Sequence, residues 1–195
     1  MNTFASRHRF PALFVVALLL SSLTVAHAAA AAPQREHLTP EEIEKVRDNQ
    51  ELDKRIGIFI RAAERRFLAV TDPQQAAARA PKEAVEWGEL KGTRTQLLGD
   101  LSRILDEAIT NIDDTAARIP SSPLLKKSLK KLAEAATRFA APLDALRTTS
   151  QDEAEREALE QAIERIEEIV EAAGKHPLDE KEDESKGDKK KKNGR

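Results

Sequence analysis

The chain has 195 residues, 34% of them charged, with a formal net charge of −2 and no Cys. This near balance of charge argues against a nucleic-acid-binding domain, which is usually strongly basic. Without Cys there are no disulfides, no thiolate metal ligands and no c-type haem attachment, so burial of apolar side chains must stabilise the fold.

The first residues have the three parts of a secretory signal peptide. Residues 7–9 are basic, residues 10–20 are apolar except for Pro11, and residues 26–28 (Ala-His-Ala) place small side chains where signal peptidase cleaves. The apolar run is shorter than the roughly 20 residues that cross a bilayer comfortably. The sequence therefore predicts a cleaved signal peptide over residues 1–28 and an exported protein, either periplasmic or extracellular.

Two details of this processing stay open. Further alanines follow the signal, so cleavage after Ala28, Ala30 or Ala32 fits the pattern. The alternative is that the apolar segment is not cleaved and anchors the protein in the membrane. After cleavage, we expect no integral membrane span in the mature protein. Processing also removes two arginines and lowers the formal net charge to about −4, which bears on solubility rather than on the fold.

A helix is expected after an Ala-containing spacer at residues 29–38, which we expect to be flexible. Thr39 is a suitable N-cap, Pro40 suits the first helical position, and Glu42 completes a capping box. One helical face then follows at spacings of three and four, formed by Leu52, Ile56, Phe59, Ile60, Ala63, Phe67 and Val70. These signals predict a single helix over residues 40–70.

Two more helices are expected before residue 120. The first is short, over residues 74–79, and ends at Pro81 because proline disfavours helix in the residue before it. The second is long, over residues 82–119. Its second half carries an apolar stripe of Leu97, Leu101, Ile104, Ala108 and Ile112.

Three glycines make the first half of that long helix unusual. Gly88, Gly92 and Gly99 would lie on one helical face, and each costs about 1 kcal/mol relative to Ala. Either they allow close packing against another backbone, for example near Gly57, or residues 87–95 are not regular helix. Close packing is the favoured interpretation. A flexible segment beside Trp87, offering Lys91 and Arg94 to an anion, is the functional alternative.

Two long helices complete the pattern. Ser122 is the expected N-cap of the first, and its apolar residues repeat every seven positions, as in a coiled coil. These residues are Leu125, Leu129, Leu132, Ala136, Phe139, Leu143 and Leu146. Pro142 is expected to kink or restart this helix. Residues 150–153 form another capping box, and the last helix runs from there to Gly174, with Leu159, Ala162, Ile163, Ile166, Ile169, Val170 and Ala173 facing inward.

The predicted fold class is therefore all-α. We expect an antiparallel up-and-down bundle of about four principal helices over residues 39–174. Residues 175–195 are nearly all charged and are predicted to form a disordered tail. The tail contains an acidic segment and four consecutive lysines (residues 189–192), which we interpret as solubilising. Binding to anionic lipid, nucleic acid or cell-wall polymer is the alternative.

One group of polar residues has the spacing of a cation site. Glu107, Asn111 and Asp114 lie four and three apart on one helical face, in an acidic region that begins at Asp106. A solvated face opposite the apolar stripe is the stronger interpretation, because a third of the chain is charged. No Glu-x-x-His pair is present, as a di-iron bundle requires. We therefore predict no metal site.

Histidine and haem chemistry have little support. After processing, His37 remains in the spacer and His176 in the tail, where a metal site would need acidic ligands from elsewhere. Neither residue lies in the predicted bundle, which disfavours a His-centred hydrolase. Met1 is the only Met, so Met/His haem ligation is excluded after processing. We predict no catalytic residues, no cofactor and no enzymatic activity.

The leading hypothesis is a non-catalytic exported bundle with a binding or scaffolding role in the cell envelope. It would bind a protein partner, or self-associate, through an exposed helical face. Leu124, Ile58 and Leu68 lie off the main stripes and would form a partner patch if exposed together. The alternative is a metal- or small-ligand-binding bundle that uses the acidic region at residues 106–114 or a cavity near Trp87. No nucleic-acid partner is expected.

Overall fold

The computed structural model describes residues 35–175, which from Glu36 onward belong to one compact unit. The predicted signal peptide, most of the predicted spacer and the tail from residue 176 lie outside the described residues. Over residues 35–175 the fold is all-α without strands, which confirms the predicted class. The helices are α1 (Pro40–Asp48), α2 (Leu52–Thr71), α3 (Pro73–Trp87), α4 (Arg94–Arg118), α5 (Pro123–Thr149) and α6 (Glu153–Lys175).

Four long helices, α2, α4, α5 and α6, form the bundle. Both α2 and α6 pack against α4 and α5, so the order around the bundle is α2, α4, α6, α5. The pair α4 and α5 lies across the diagonal and makes a smaller contact. The two shorter helices, α1 and α3, lie against α2 on the outside of the bundle.

Side-chain pairs between helices give their directions. The pairs are Lys131–Asp53 and Arg138–Glu64 between α5 and α2, and Arg94–Glu155 and Arg165–Asp106 between α4 and α6. In each set the residue numbers rise together, so these neighbours are parallel. The short links at 119–122 and 150–152 make α4 antiparallel to α5, and α5 antiparallel to α6. The four long helices therefore alternate in direction along the chain. Two pairs of spatial neighbours, α2 with α5 and α4 with α6, are parallel.

The core is made of aliphatic side chains and two phenylalanines. Its fully buried members include Ile56, Phe59, Leu98, Leu101, Ile104, Leu105, Leu132, Leu143, Leu159 and Ile166. The five central heptad residues of α5 are buried in this core, and Phe139 stacks on Phe67 with ring centroids 4.6 Å apart. The heptad face is thus buried inside its own chain.

Leu124, Ile58 and Leu68 are not exposed together, so the condition for a partner patch at these residues is not met. Ile58 is buried, and Leu124 packs against the core. Leu68 is half-buried on α2. These side chains therefore do not form an exposed apolar surface. Val170, expected to face inward, is 40% exposed instead.

The predicted first helix is divided in two. The chain leaves helical geometry at Asn49, whose side-chain amide donates to the carbonyl of Lys45 at 2.8 Å. The carbonyl of Asn49 accepts a 3.0 Å hydrogen bond from Arg55 Nε, and α2 begins at Leu52. Side chains thus satisfy backbone carbonyls around the break. Neither Gly nor Pro marks it, so the sequence pattern did not reveal it.

The predicted boundaries around Pro81 are also wrong. The structure has one helix, α3, that runs through Pro81 to Trp87, and α4 begins only at Arg94. Proline inside a helix costs about 3 kcal/mol. Polar contacts of Glu83 and Trp87 with α2 hold the half of α3 that follows the proline.

Caps and breaks elsewhere follow the sequence in part. Thr39 and Glu42 form the predicted capping box, and Ser122 is the N-cap of α5 as expected, although its side chain makes no capping hydrogen bond. Asp152, not Ser150, caps α6, since its carboxylate accepts from the backbone N–H of Glu155 at 3.0 Å. Helix α5 continues through Pro142 rather than restarting there.

Within residues 35–175, no helix is long and apolar enough to cross a membrane.

A carboxylate on α2 joins the starts of α2 and α5. The Asp53 side chain is nearly buried, and its Oδ2 lies 2.7 Å from Nζ of both Lys127 and Lys131. Hydrogen bonds from Lys127 and then Lys131 hold the pKa of the Asp53 carboxyl below its usual value of 3.8. This pairing therefore stabilises the fold above about pH 4, and the stabilisation is lost as the pH falls through the lowered pKa.

We predict that Asp53→Asn lowers the free energy of unfolding at pH 7 by about 1–2 kcal/mol, a modest loss because both lysines are partly exposed and screened. The difference from the unmodified protein should shrink toward zero as the pH falls through the pKa of Asp53, where the carboxyl is protonated in both states. Urea unfolding at a series of pH values measures it. Asp113→Asn, at an exposed carboxylate of α4, is the control. A difference that stays constant down to the lowest pH would contradict this account.

Candidate functional site

The residues with the spacing of a cation site on α4, which the sequence pattern assigns to a solvated face, do not converge on one point. Glu107 Oε2 lies 2.8 Å from His37 Nε2, and Asn111 Oδ1 accepts a 3.1 Å hydrogen bond from Arg55. Asp114 is exposed. In the described part of the chain, no group of three or more His, Cys, Asp or Glu side chains is placed to hold a metal ion.

His37 lies against the bundle, although the sequence placed it in a flexible spacer. Its ring contacts Glu107 on α4, and the neighbouring Leu38 is 7% exposed and belongs to the core. The folded unit therefore includes residues before the predicted start at Thr39. His176, the other candidate, lies outside the described residues.

The glycine-rich segment is a loop. Gly88 and Gly92 lie between α3 and α4 with φ values of 74° and 140°, so residues 88–93 are not helical. Gly99 lies within α4, and a Cβ built there or at Gly57 would meet nothing within 4 Å. The favoured interpretation, close helix packing along a glycine stripe, is therefore wrong.

The two cations expected to offer an anion site contact carboxylates instead. Lys91 Nζ lies 2.9 Å from Glu89, and Arg94 Nε lies 3.2 Å from Glu155 of α6. Arg94 thus links the starts of α4 and α6. These contacts weaken the hypothesis of an anion site beside Trp87.

A buried charge cluster joins α1, α2 and α3. It is made of Glu42, Arg65 and Arg66, which are buried, and Glu83, which is partly exposed. Glu42 is fully buried at the third position of α1, because the capping box fixes its side chain at the helix start. Its Oε2 accepts the backbone N–H of Thr39 at 2.9 Å. Its Oε1 accepts from Nη1 of both Arg65 and Arg66 at 2.5 Å.

Arg65 carries the cluster to the end of α3. Its guanidinium donates to the carbonyls of Trp87 at 2.8 Å and Gly88 at 2.6 Å, and its Nε donates to Glu83 at 3.2 Å. The hydroxyl of Thr39 donates to the same Trp87 carbonyl at 2.6 Å. The end of α3 is thereby fixed against both α1 and α2.

Arg66 carries the cluster to the segment before α1. Its Nη2 donates to the carbonyl of His37 at 2.8 Å, and its Nη1 also reaches the carbonyl of Ala62. Glu83, at the other end of the cluster, also accepts a 2.7 Å hydrogen bond from Arg61 Nη2. A buried charge is tolerated only when it is paired and hydrogen-bonded, so these partners must stay in place.

Sequence reasoning missed this cluster. The sequence pattern gives Glu42 only a capping role, and it gives no partner for Arg65 and Arg66 beside the apolar stripe of α2. Arg65 and Arg66 lie more than 20 residues from Glu42 in the chain. Two adjacent arginines on the flank of a buried helical face were the available signal.

A comparison of this chain with protein-family models, with curated proteins and with solved structures finds no match. The interpretation of the site therefore rests on its own geometry. No pair of side chains described above has the arrangement of a nucleophile and an adjacent base. The candidate site is therefore the surface of the helix that the cluster holds in place.

That surface is the outer face of α3, which we define as Ala77, Ala78, Pro81 and Val85. All four side chains are exposed, and Val85 is 87% exposed. None of the 15 residues of α3 is buried. The opposite side of the helix carries Glu83 and Trp87, and Lys45 Nζ lies 4.8 Å from the Trp87 ring centroid. Helix α3 is therefore held against α1 and α2 through its second half, and its outer face is open to solvent.

Two glycine substitutions should change stability in opposite directions. Gly88→Ala would place a Cβ 2.9 Å from Thr39 Oγ1 and closer still to Glu41, at a φ that L residues rarely adopt. We expect it to destabilise the protein by about 1–3 kcal/mol. Gly99→Ala, in open space within α4, should stabilise it by about 0.5–1 kcal/mol. Chemical denaturation of both variants tests the assignment, and equal effects of the same sign would contradict it.

Proposed function

We propose that this chain is an exported, non-catalytic bundle that binds a protein partner in the cell envelope through the outer face of α3. The observation that carries the proposal is the contrast between the two sides of that helix. One side is fixed by the buried charge cluster, whereas the outer face is exposed along its length.

The energetics of α3 support a role beyond stability. A surface helix usually persists because it buries an apolar stripe. Helix α3 buries none of its side chains and contains Pro81, so the core contributes little to holding it. Buried ion pairs add little net stability, because the cost of desolvating the charges offsets much of their attraction. We infer that the cluster serves to fix the position of α3.

The chemistry of the outer face fits recognition by a complementary apolar groove. Ala77, Pro81 and Val85 are spaced four residues apart and share one side of the helix, as anchors of a helix that docks in a groove do. Their small size allows close approach of a partner. Arg79 and Lys82, both exposed, add polar groups around them, as at the rim of a protein interface.

A metal- or small-ligand-binding bundle is the alternative and has less support. Its expected donors Glu107 and Asn111 contact His37 and Arg55 instead of converging on a site. Export, the other part of the proposal, is supported by the basic, apolar and small-residue pattern of residues 7–28.

We predict that a photo-crosslinking amino acid at Val85 captures one discrete partner protein in cells that produce the full chain. The same amino acid at Val170, an exposed apolar position on α6, should not capture it. The intact mass of the recovered protein should correspond to a chain that begins after Ala28, Ala30 or Ala32. Retention of Met1 would contradict export.

A variant separates specific capture from random collision. Ala78→Glu adds a charge to the outer face beside the crosslinker, and should abolish the adduct at Val85 while leaving the melting temperature unchanged, because Ala78 is exposed. Thr137→Glu, at an exposed position of α5, is the matched control and should leave the adduct intact. Equal adducts at Val85 and Val170, or an adduct that survives Ala78→Glu, would overturn the assignment of α3 as the binding surface.

A further inference from the structure

A lysine cluster lies at the start of α5. It consists of Lys126, Lys127, Lys130 and Lys131, which occupy two successive helical turns. Lys127 and Lys131 contact Asp53 on α2, yet their side chains remain 57% and 41% exposed. Lys126 and Lys130 are exposed as well. Four cations are therefore in contact with solvent around one end of the bundle. The carboxylate of Asp53 contacts two of them, Lys127 and Lys131.

The four lysines cover two sides of the exposed surface of α5. Lys127, Lys131 and Arg138 contact carboxylates of α2, which places them on the flank of α5 that faces α2. Side chains on a helix rotate by about 100° per residue. Lys126 and Lys130, each one position before Lys127 and Lys131, therefore lie about 100° around the helix from those two lysines, on the exposed side of α5.

The chain leaves the described bundle at the same end. Helices α5 and α6 are antiparallel and joined by residues 150–152, so Lys175 at the end of α6 lies level with about residue 127 of α5. Four residues further along begins the acidic segment, residues 179–184, with five carboxylates and one Lys. Four extended residues span about 13–14 Å, enough for this segment to reach the lysine cluster.

We propose that the acidic segment at residues 179–184 docks on the lysine cluster of its own chain. Opposite charge and a short tether support this occupant over a separate molecule, because tethering gives a local concentration in the millimolar range. Each exposed ion pair contributes little alone, so docking needs several pairs and is released by salt. The tail thereby shields the lysine cluster from other polyanions. This inference does not depend on the proposed role of α3.

Paramagnetic relaxation enhancement tests the docking on the full chain. The chain has no Cys, so Ser185→Cys gives a single site for a spin label just after the acidic segment. At about 0.01 M salt we expect strong broadening of the backbone amides of residues 124–131, and little at residues 144–149 at the far end of α5. At about 1 M salt the broadening should disappear. Equal broadening at both ends of α5, or none, would overturn the proposal.

Two further samples identify the occupant. Lys126→Gln with Lys130→Gln should reduce the broadening several-fold, while Lys82→Gln with Lys91→Gln, which removes the same charge elsewhere, should not. Circular dichroism confirms that both variants fold. A third sample mixes protein that carries the spin label but no ¹⁵N with ¹⁵N-enriched protein that carries no spin label. Docking within one chain predicts no broadening in this mixture. Broadening in that mixture would show docking on a second copy and would contradict the proposal.

Discussion

The carboxylate of Glu42 is fully buried between two guanidinium groups, and the arrangement around it constrains the outer parts of the structure. A buried charge that loses a partner is costly, so the groups around Glu42 have little freedom to move. Through Arg65 this constraint reaches the end of α3, and through Arg66 it reaches the segment before α1. The positions of these two segments, and of α1 itself, thus depend on one side chain.

Helix α2 links two different kinds of stabilisation. Its apolar face, including Ile56 and Phe59, packs in the core with α4 and α5. Its arginine-bearing flank holds α1 and α3 through polar contacts. Burial of the core holds the four long helices together. Burial is non-directional and tolerates many arrangements of similar volume. The charge cluster adds the directional contacts that determine where the outer helices lie.

Local patterns in the sequence predicted the helical class, the capping box at Thr39 and the heptad that packs into the core. Features set by distant contacts were missed. Nothing near His37 indicates its contact with Glu107, 70 residues away. Pro81 predicted a helix end, but contacts of Glu83 with α2 favour continuation. The candidate site was missed for the same reason, because periodicity assigns Arg65 and Arg66 to a helix flank without identifying their partners.

The most direct test of the central claim is amide hydrogen exchange in Glu42→Gln, which keeps the shape of the side chain and removes its charge. The account predicts faster exchange at residues 36–48 and 82–93, with the central turns of α4, α5 and α6 as protected as before. Glu44→Gln, at an exposed position on α1, is the control and should change little. Unchanged exchange at residues 82–93, or equal acceleration throughout the bundle, would contradict the claim that Glu42 fixes the outer helices.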